Sequence, residues 1–480
     1  MAVSSTTKAL KDIMRIDAGI NGDAQYIEQI TWMLFLKVFD YKEQEWEITE
    51  DDYYPVVPGE YRWSAWADND EGLTGDALVD HVERMFRDLR NLDISDDAKK
   101  RKWLVRDVMD GVNNFMKSGT LLRQVVNKIN TDIDFNAVKS AHLFNGLYEG
   151  MLKDLQSAGK AGEFYTPRPV TRFIVEQVDP KLAESVLDPA CGTGGFLTSV
   201  INRYEVNTPD EYTKLQKSIR GIEKKPFPYL LCVTNLIAHG IDVPNIAHRN
   251  TLATPISEYK DKDKVDVIVT NPPFGGAEES IISKSVPAEY RSSETADLFL
   301  VHMMALLKDG GRCGLVLPDG FLFGDGVKAA IKKKLLTEND LHTIIRLPKD
   351  VFAPYTNINT NLLFFTKGQP TKHVWFYRLE MPEGYKHFSK TRPMLDVHFE
   401  PVRKWWKKRQ ESDVSQKVAA ADILANNCNL DICGFPHETV EILPPDEFIA
   451  HYLNEKATIS KRIEIILRRI SSTMEQGDAL

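Results

Sequence analysis

The fold is decided by the stretch Leu187-Asp188-Pro189-Ala190-Cys191-Gly192-Thr193-Gly194-Gly195-Phe196, which predicts a strand, a glycine turn and a helix in succession. Glycines at such a turn let the backbone pass close to a ligand, because no Cβ stands in the way. The turn by itself is equally consistent with a plain connection between strand and helix. Its function therefore depends on the rest of the chain.

Strand patterns recur after this stretch and alternate with helical ones. Seven candidate strands are Ser185–Asp188, Ser218–Glu223, Asn245–His248, Val265–Thr270, Gly311–Leu317, Leu341–Leu347 and Asn361–Thr366. This alternation predicts an α/β fold with a parallel, doubly wound, Rossmann-like sheet that helices cover on both faces. The seventh strand follows the sixth after a loop too short for a crossover helix, so we expect it to run antiparallel.

The chain ahead of this sheet has helical periodicity, and we predict an all-α domain at residues 1–155. An irregular aromatic stretch interrupts it between Asp51 and Gly75. Its rings could either stack on nucleic acid or pack against the helices. Because acidic residues surround the rings, we expect packing.

Residues 371–480 form a predicted extension behind the sheet domain, which we place at 156–370. The extension holds a basic, aromatic segment at Arg403–Arg409 and a long amphipathic helix at Phe448–Ile470. The basic segment could contact a nucleic-acid backbone or form a solvated face. The terminal helix suits a partner or a coiled coil, and packing against its own domain is equally consistent with its periodicity.

The composition excludes several classes of protein. The 480 residues carry a net charge of −9 and 42% hydrophobic residues, as is ordinary for a globular chain. With no apolar run of membrane-spanning length and no secretory signal pattern, a cytoplasmic location is expected. The five cysteines are scattered, so no metal site is predicted. An acidic chain that acts on nucleic acid needs a partner or a local basic patch.

Three features fall at the carboxyl ends of predicted strands, where sheets of this kind bind ligands. The first is the glycine turn. The second is Glu223, whose two carboxylate oxygens can accept both hydroxyls of a ribose, although a solvated loop acid is the alternative. The third is Asn271-Pro272-Pro273-Phe274, directly after the fourth strand.

The third feature indicates the chemistry. Asn271 offers one acceptor and one donor group, while Pro272 and Pro273 lack N–H donors and hold their carbonyls rigidly. Phe274 supplies a flat face for stacking. This set suits a planar substrate with an exocyclic amine, whose hydrogens are accepted while its nitrogen is positioned for in-line attack. A chain reversal after a strand is the alternative.

A polar segment at Gly159–Pro169 precedes an amphipathic helix. Thr166 is predicted to cap this helix, with Pro167 at its first position. The segment is either a domain linker or a loop over a ligand, since a helix start offers free N–H groups.

Together, Asp188–Phe196 and Asn271–Phe274 resemble the S-adenosylmethionine-dependent amino-group methyltransferases of DNA. Their order, with Glu163–Arg168 ahead of both, looks like the gamma arrangement of adenine-N6 enzymes. The helical amino-terminal domain, Gly275-Gly276 and Asn429–Ile432 extend the resemblance to the modification (methylase) subunit of type I restriction-modification systems. It covers nearly the whole chain.

The resemblance implies a site-specific DNA methyltransferase that uses S-adenosyl-L-methionine and acts on N6 of a flipped-out adenine. It implies the catalytic residues Asn271, Pro272, Pro273 and Phe274. It implies the cofactor-binding residues Glu163, Phe164, Tyr165, Thr166, Pro167, Arg168, Asp188, Thr193, Gly194, Gly195, Glu223 and Asn250. Of these, Glu163–Arg168 would line the methionine end, Glu223 would hold the ribose, and Asn250 would lie near the adenine.

The resemblance also implies four partners: a specificity subunit that reads the sequence, a second methylase subunit, a restriction and translocase subunit, and double-stranded DNA.

Other functions stay open. They are methylation of a protein glutamine or an RNA amine, and cofactor binding by a non-catalytic scaffold. A nicotinamide-dinucleotide site is less consistent, because the turn lacks the usual spacing to a third helix glycine.

Overall fold

Helices precede a single large sheet in the computed structural model of the chain. The described residues are 2–95, 100–133, 165–275, 281–353, 356–389 and 391–434, with side chains from residue 6, together with 449, 452–454, 456–457, 459–461, 463–464 and 466–468. The chain divides into two units, Met1–Gly434 and Phe435–Leu480.

The helices before the sheet are α1 (Ala2–Met14), α2 (Asp23–Thr49), α3 (Trp63–Trp66), α4 (Gly75–Arg90), α5 (Lys100–Asp110) and α6 (Gly119–Asp132). Four consecutive side chains of α2, at residues 32–35, are fully buried. A helix that is apolar all round belongs in the middle of a bundle, and each such side chain contributes about 1.5–3 kcal/mol by burial.

The aromatic stretch after α2 packs on the helices, as predicted. Trp63 and Trp66 are buried, with their rings 5.2 Å apart. The Glu43 carboxylate of α2 accepts hydrogen bonds from Tyr53 Oη and Val56 N, each at 2.6 Å. These contacts attach the irregular stretch to the centre of the bundle.

The sheet region contains nine helices and nine strands among the described residues. The helices are α7 (Arg168–Val178), α8 (Gly195–Ile201), α9 (Pro209–Ser218), α10 (Pro226–Ala238), α11 (Thr295–Leu306), α12 (Asp319–Phe323), α13 (Val327–Glu338), α14 (Glu400–Lys407) and α15 (Ala420–Ala425). The strands are β1 (Val186–Asp188), β2 (Ile219–Glu223), β3 (Asn245–His248), β4 (Val265–Thr270), β5 (Leu307–Pro318), β6 (Asn339–Arg346), β7 (Thr360–Lys367), β8 (His373–Arg378) and β9 (Ser415–Ala419). Helix α10 packs against α2 of the bundle.

The strand order is β3-β2-β1-β4-β5-β7-β6-β8-β9. Strands β1 to β5 all run parallel to one another, and β7 runs antiparallel to both β5 and β6. The predicted α/β class and the antiparallel seventh strand are therefore confirmed. Two strands more than the predicted seven are present, because β8 and β9, which follow residue 370, continue the same sheet.

The order reverses at β1, which lies between β2 and β4. From β1 the chain builds the sheet first towards β3 and then, from β4, in the other direction. At such a switch point a crevice opens outside the carboxyl ends of the strands. We call this side of the sheet the carboxyl edge.

The basic, aromatic segment at Arg403–Arg409 makes structural contacts through most of its side chains. The Arg403 guanidinium binds Glu176 on α7 at 2.7 Å, as well as two acids near its own helix. Trp406 lies over the sheet, with its ring 4.9 Å from Phe364. The exposed cations of the segment are Lys404, Lys407 and Lys408.

The described residues of the second unit are helical, as predicted, between 449 and 468. Their large apolar side chains are all more than half exposed: Ile449, Tyr452, Leu453, Ile459, Ile463, Ile466 and Leu467. In the part of the chain that the structure describes, no helix combines the length and the apolar character needed to cross a membrane.

Candidate active site

The glycine turn connects β1 to α8 at the carboxyl edge. Gly192 and Gly194 have φ angles of 52° and 81°, in the left-handed region that favours glycine. A Cβ on Gly192 would meet no heavy atom within 4 Å, whereas one on Gly195 would lie 2.6 Å from Nη1 of Arg168. The turn is therefore open at Gly192 and is in contact with the Arg168 guanidinium at Gly195.

Asp188 begins this turn and is only 1% exposed. Its Oδ1 accepts hydrogen bonds from Thr270 Oγ1 at 2.6 Å and from Ala190 N at 3.1 Å. Burial raises the pKa of Asp188 to about 7, and these two hydrogen bonds oppose the rise. The carboxyl group thus links the turn to β4, one residue before Asn271.

Glu223 lies beside the turn, at the end of β2. Its Oε2 accepts from Gly192 N at 2.9 Å and its Oε1 from Lys225 N at 2.8 Å. Burial raises the pKa of this carboxyl group, while the backbone N–H donors lower it. The backbone N–H of Lys224 also donates to this carboxylate, which with about four lone-pair sites can still accept a hydroxyl group.

Two more of the expected cofactor residues adjoin the same turn. The Thr193 carbonyl accepts from Asn235 Nδ2 at 2.9 Å. The Asn250 side chain accepts from Leu252 N at 3.0 Å and caps a short 3₁₀ turn. That turn is attached to the glycine turn by Thr251 Oγ1, which donates to the Pro189 carbonyl at 2.5 Å.

Asn271 follows β4 at the carboxyl edge. Its Nδ2 donates to Thr166 Oγ1 at 2.9 Å. Its Oδ1 is buried and, among the described residues, has no hydrogen-bond partner. A buried acceptor without a partner costs about 1–3 kcal/mol, so an unpaired carbonyl at such a place is a candidate for binding a donor from a ligand.

The predicted helix cap at Thr166 is wrong. Helix α7 begins at Arg168, with Pro167 at the N-cap position and no side-chain capping bond. The Thr166 hydroxyl instead accepts a hydrogen bond from Asn271 Nδ2. The Arg168 guanidinium lies 5.2 Å from the centre of the Tyr165 ring. Glu163 and Phe164 lie outside the described residues.

The other residues of the Asn-Pro-Pro-Phe element differ in exposure. Pro272 is buried and Pro273 is exposed. Phe274 is only 5% exposed, and its ring meets that of Phe352 edge-on, with centroids 5.9 Å apart. Phe352 was not expected from the sequence. Because β6 is parallel to β4, the loop after β6 reaches the same edge, and this topology is the signal that could have identified it.

A buried arginine was also missed. Arg346, at the end of β6, binds Asp431 at 2.7 Å and Asp319 at 3.1 Å, and donates to the Gly434 carbonyl at 3.0 Å. These contacts hold the Asn429–Ile432 motif at the carboxyl edge, beside the start of α12. The position of Asp319 and Arg346 at strand ends was the available signal.

The five cysteines are buried and unbridged. Over the described ranges, no group of three or more His, Cys, Asp or Glu side chains is arranged to hold a metal ion.

Known families match both regions of the chain. The family described as N-6 DNA Methylase matches residues 139–441, and the HsdM N-terminal domain matches residues 3–129. The EcoEI methylase subunit of a type I restriction enzyme from Escherichia coli is 51% identical over 474 residues, covering 96% of each chain. The EcoKI methylase subunit from E. coli strain K12 is 29% identical, covering 81% of this chain and 73% of that relative.

Solved structures agree with these matches. A modification subunit assigned to a type I restriction enzyme from Vibrio vulnificus YJ016 is 42% identical, with a TM-score of 0.79, covering 88% of this chain and 93% of that one. A chain from a structure of type I R-M system assembly is 35% identical, with a TM-score of 0.80. The match covers 98% of this chain and 99% of that one. The chain therefore belongs to the N-6 DNA methylase family, among the methylase subunits of type I restriction enzymes.

Proposed function

We propose that this chain transfers a methyl group from S-adenosyl-L-methionine to N6 of a flipped-out adenine in DNA, as the modification subunit of a type I restriction-modification complex. The observation that carries this proposal is the buried, unpaired Oδ1 of Asn271 at the carboxyl edge. Methylation of a protein glutamine or an RNA amine, and a non-catalytic scaffold, are less consistent with a family of DNA methylases.

The chemistry follows from the groups around Asn271. Its Oδ1 accepts one N–H of the target amine, and the rigid carbonyl of Pro272 accepts the other. Accepting both hydrogens leaves electron density on the nitrogen and orients its lone pair for in-line attack. Phe274 offers an aromatic face to the base, which has to leave the duplex to reach this pocket.

The residues of the glycine turn fit the proposed cofactor. When bound, S-adenosyl-L-methionine supplies an electrophilic methyl group. Beside its three backbone donors, Glu223 retains a lone pair for a ribose hydroxyl, and the space beside Gly192 is open. The guanidinium of Arg168, against Gly195, is a suitable partner for the carboxylate of the methionine end. Asp188, Thr193, Gly194 and Asn250 shape the same turn, and we assign Tyr165, Thr166 and Pro167 to its approach.

Sequence recognition is assigned to partners. The chain has a net charge of −9, which is unfavourable for gripping DNA alone. The terminal helix presents exposed apolar side chains, as a partner helix does. We propose a complex with a specificity subunit, a second methylase subunit and a restriction and translocase subunit on double-stranded DNA, and hence a cytoplasmic location in a prokaryotic cell.

We also propose a division into a helical domain at 1–155, a catalytic domain at 156–370 and an extension at 371–480. The extension supplies β8 and β9 to the sheet.

The test is transfer of a radiolabelled methyl group to adenine-containing duplex DNA by the full chain, copurified with its partners. The wild type should label adenine at N6, and Asn271→Ala should lower the rate at least about 100-fold, as the loss of a key polar group in an active site does. Cofactor binding, measured by calorimetry, should stay nearly unchanged. Labelling by Asn271→Ala at the wild-type rate would refute the mechanism.

A further inference from the structure

The orientation of the Asn271 carboxamide depends on a residue far away in the sequence. Thr166 precedes Asn271 by 105 positions, and its Oγ1 accepts the hydrogen bond from Asn271 Nδ2 at 2.9 Å. No other hydrogen bond to the Asn271 side chain is found within the described ranges, and its Oδ1 is left unpaired. One hydroxyl group therefore holds the amide end while the carbonyl end stays available.

The two ends of a carboxamide are nearly equal in shape but opposite in hydrogen bonding. A half-turn about the terminal side-chain bond would direct Nδ2, a donor, at the donors of the target amine. Such terminal bonds turn over a broad, low barrier, so neighbouring groups have to select the orientation. Once Oδ1 accepts from the amine, the Nδ2 group needs an acceptor of its own, and Thr166 Oγ1 is placed to be that acceptor.

We infer that Thr166 is a positioning residue for the target amine, acting through Asn271. This inference rests on the proposed function, and it gives Thr166 a role different from lining the methionine end of the cofactor. The hydroxyl group holds the carboxamide so that Oδ1 faces the amine, and it relieves the cost of burying an unpaired amide N–H. Thr166 contacts the substrate only through Asn271.

The role predicts a loss of turnover with little change in cofactor affinity. Thr166→Val keeps the shape of the side chain and removes its acceptor, so Nδ2 loses its partner whenever Oδ1 faces the target. We expect kcat at saturating cofactor and DNA to fall about 10- to 100-fold, the range for an unpaired buried polar group. Thr166→Ala should show a similar loss, and Thr166→Ser, which keeps the hydroxyl, should restore most of the rate.

The experiment measures kcat, KM for DNA, and the cofactor Kd by calorimetry, for the full chain with its partners. A matched control is Thr31→Val on α2, where the buried hydroxyl donates to the Ile27 carbonyl of its own helix. This control should keep the wild-type kcat. Thermal melting of each variant separates the loss of turnover from the loss of folded protein.

Three results would overturn the inference: a wild-type kcat for Thr166→Val, a loss confined to the cofactor Kd, or a Thr166→Ser variant as slow as Thr166→Val. The second result would instead assign Thr166 to the cofactor. The proposed function fails separately, because its failure would appear as absence of adenine labelling by the wild type.

Discussion

Two asparagines, one in the helical bundle and one at the carboxyl edge, show how the two regions use the same side chain. Asn130 of α6 is paired at both ends: its Oδ1 accepts from Lys37 Nζ at 2.7 Å and Trp63 Nε1 at 2.8 Å, and its Nδ2 donates to the Ala67 carbonyl. Asn271 is paired only at Nδ2 within the described structure. In the bundle the Asn130 carboxamide joins α6 to α2, α3 and the residue that follows α3. At the carboxyl edge the Asn271 carboxamide keeps its Oδ1 available as an acceptor.

An unpaired acceptor alone does not define a site. The Oδ1 of Asn339 is also buried without a partner in the described ranges, and its Nδ2 contacts the Met304 sulfur at 3.4 Å. Asn339, however, begins β6 and so lies at the opposite side of the sheet. Asn271 differs because it follows β4 at the switch point, next to the glycine turn.

The largest effect is expected when the free energy of unfolding and kcat are both measured for an alanine variant of each asparagine. Asn130→Ala removes three buried or partly buried hydrogen bonds, to the Lys37 ammonium, the Trp63 indole N–H and the Ala67 carbonyl, so the free energy of unfolding should fall by about 2–4 kcal/mol. The kcat of the remaining folded protein should be unchanged. Denaturant unfolding and kcat, measured on Asn130→Ala and Asn271→Ala together, give the comparison.

Asn339→Ala serves as the control for unpaired acceptors and should keep its kcat. A loss of turnover in Asn130→Ala or Asn339→Ala as great as that in Asn271→Ala would remove the distinction between the two regions.

A smaller effect is expected at the link between the glycine turn and β4. Thr270→Val removes the 2.6 Å hydrogen bond to the buried Asp188. The free energy of unfolding should fall by about 1–3 kcal/mol, because a buried carboxyl group loses one of its donors. Turnover should also fall, since Asn271 is the next residue. Thermal melts and kcat check this, and Thr270→Ser should recover both. Unchanged melting of Thr270→Val would show that the bond contributes nothing.

The smallest effect is a slope in the pH dependence of stability. Burial raises the pKa of Asp188 from 3.8 to about 7. Between these values the folded chain holds a proton that the unfolded chain has released, so the free energy of unfolding falls as the pH rises. Asp188→Asn cannot titrate and should lose this part of the slope.

Denaturant unfolding at a series of pH values measures this slope as the difference between the wild type and Asp188→Asn. Burial raises the pKa of Glu223 too, and the charge of Glu223 raises the pKa of Asp188, so the difference reports Asp188 together with its interaction with Glu223. Parallel pH curves for the two proteins would contradict the prediction.

Much of the architecture could be predicted from local pattern. The alternating apolar runs located all seven candidate strands, and the short connection before β7 identified its antiparallel direction. Strands β8 and β9 were not counted in the sheet, because the pairing of β8 with β6 and of β9 with β8 depends on contacts across the chain. Phe352 and Arg346 were missed for the same reason, since each lies far in sequence from the group it contacts.

The sequence by itself determined the types of residue at the site and the order along the chain of the strands that carry them, because periodicity and turn chemistry are local. It located Asn271 after a strand, Glu223 at the end of another, and glycines between β1 and α8. Only the tertiary structure decided which end of the Asn271 carboxamide is held and which is left available. That choice depends on the Thr166 hydroxyl, brought into contact from 105 residues away, and no local pattern encodes such an encounter.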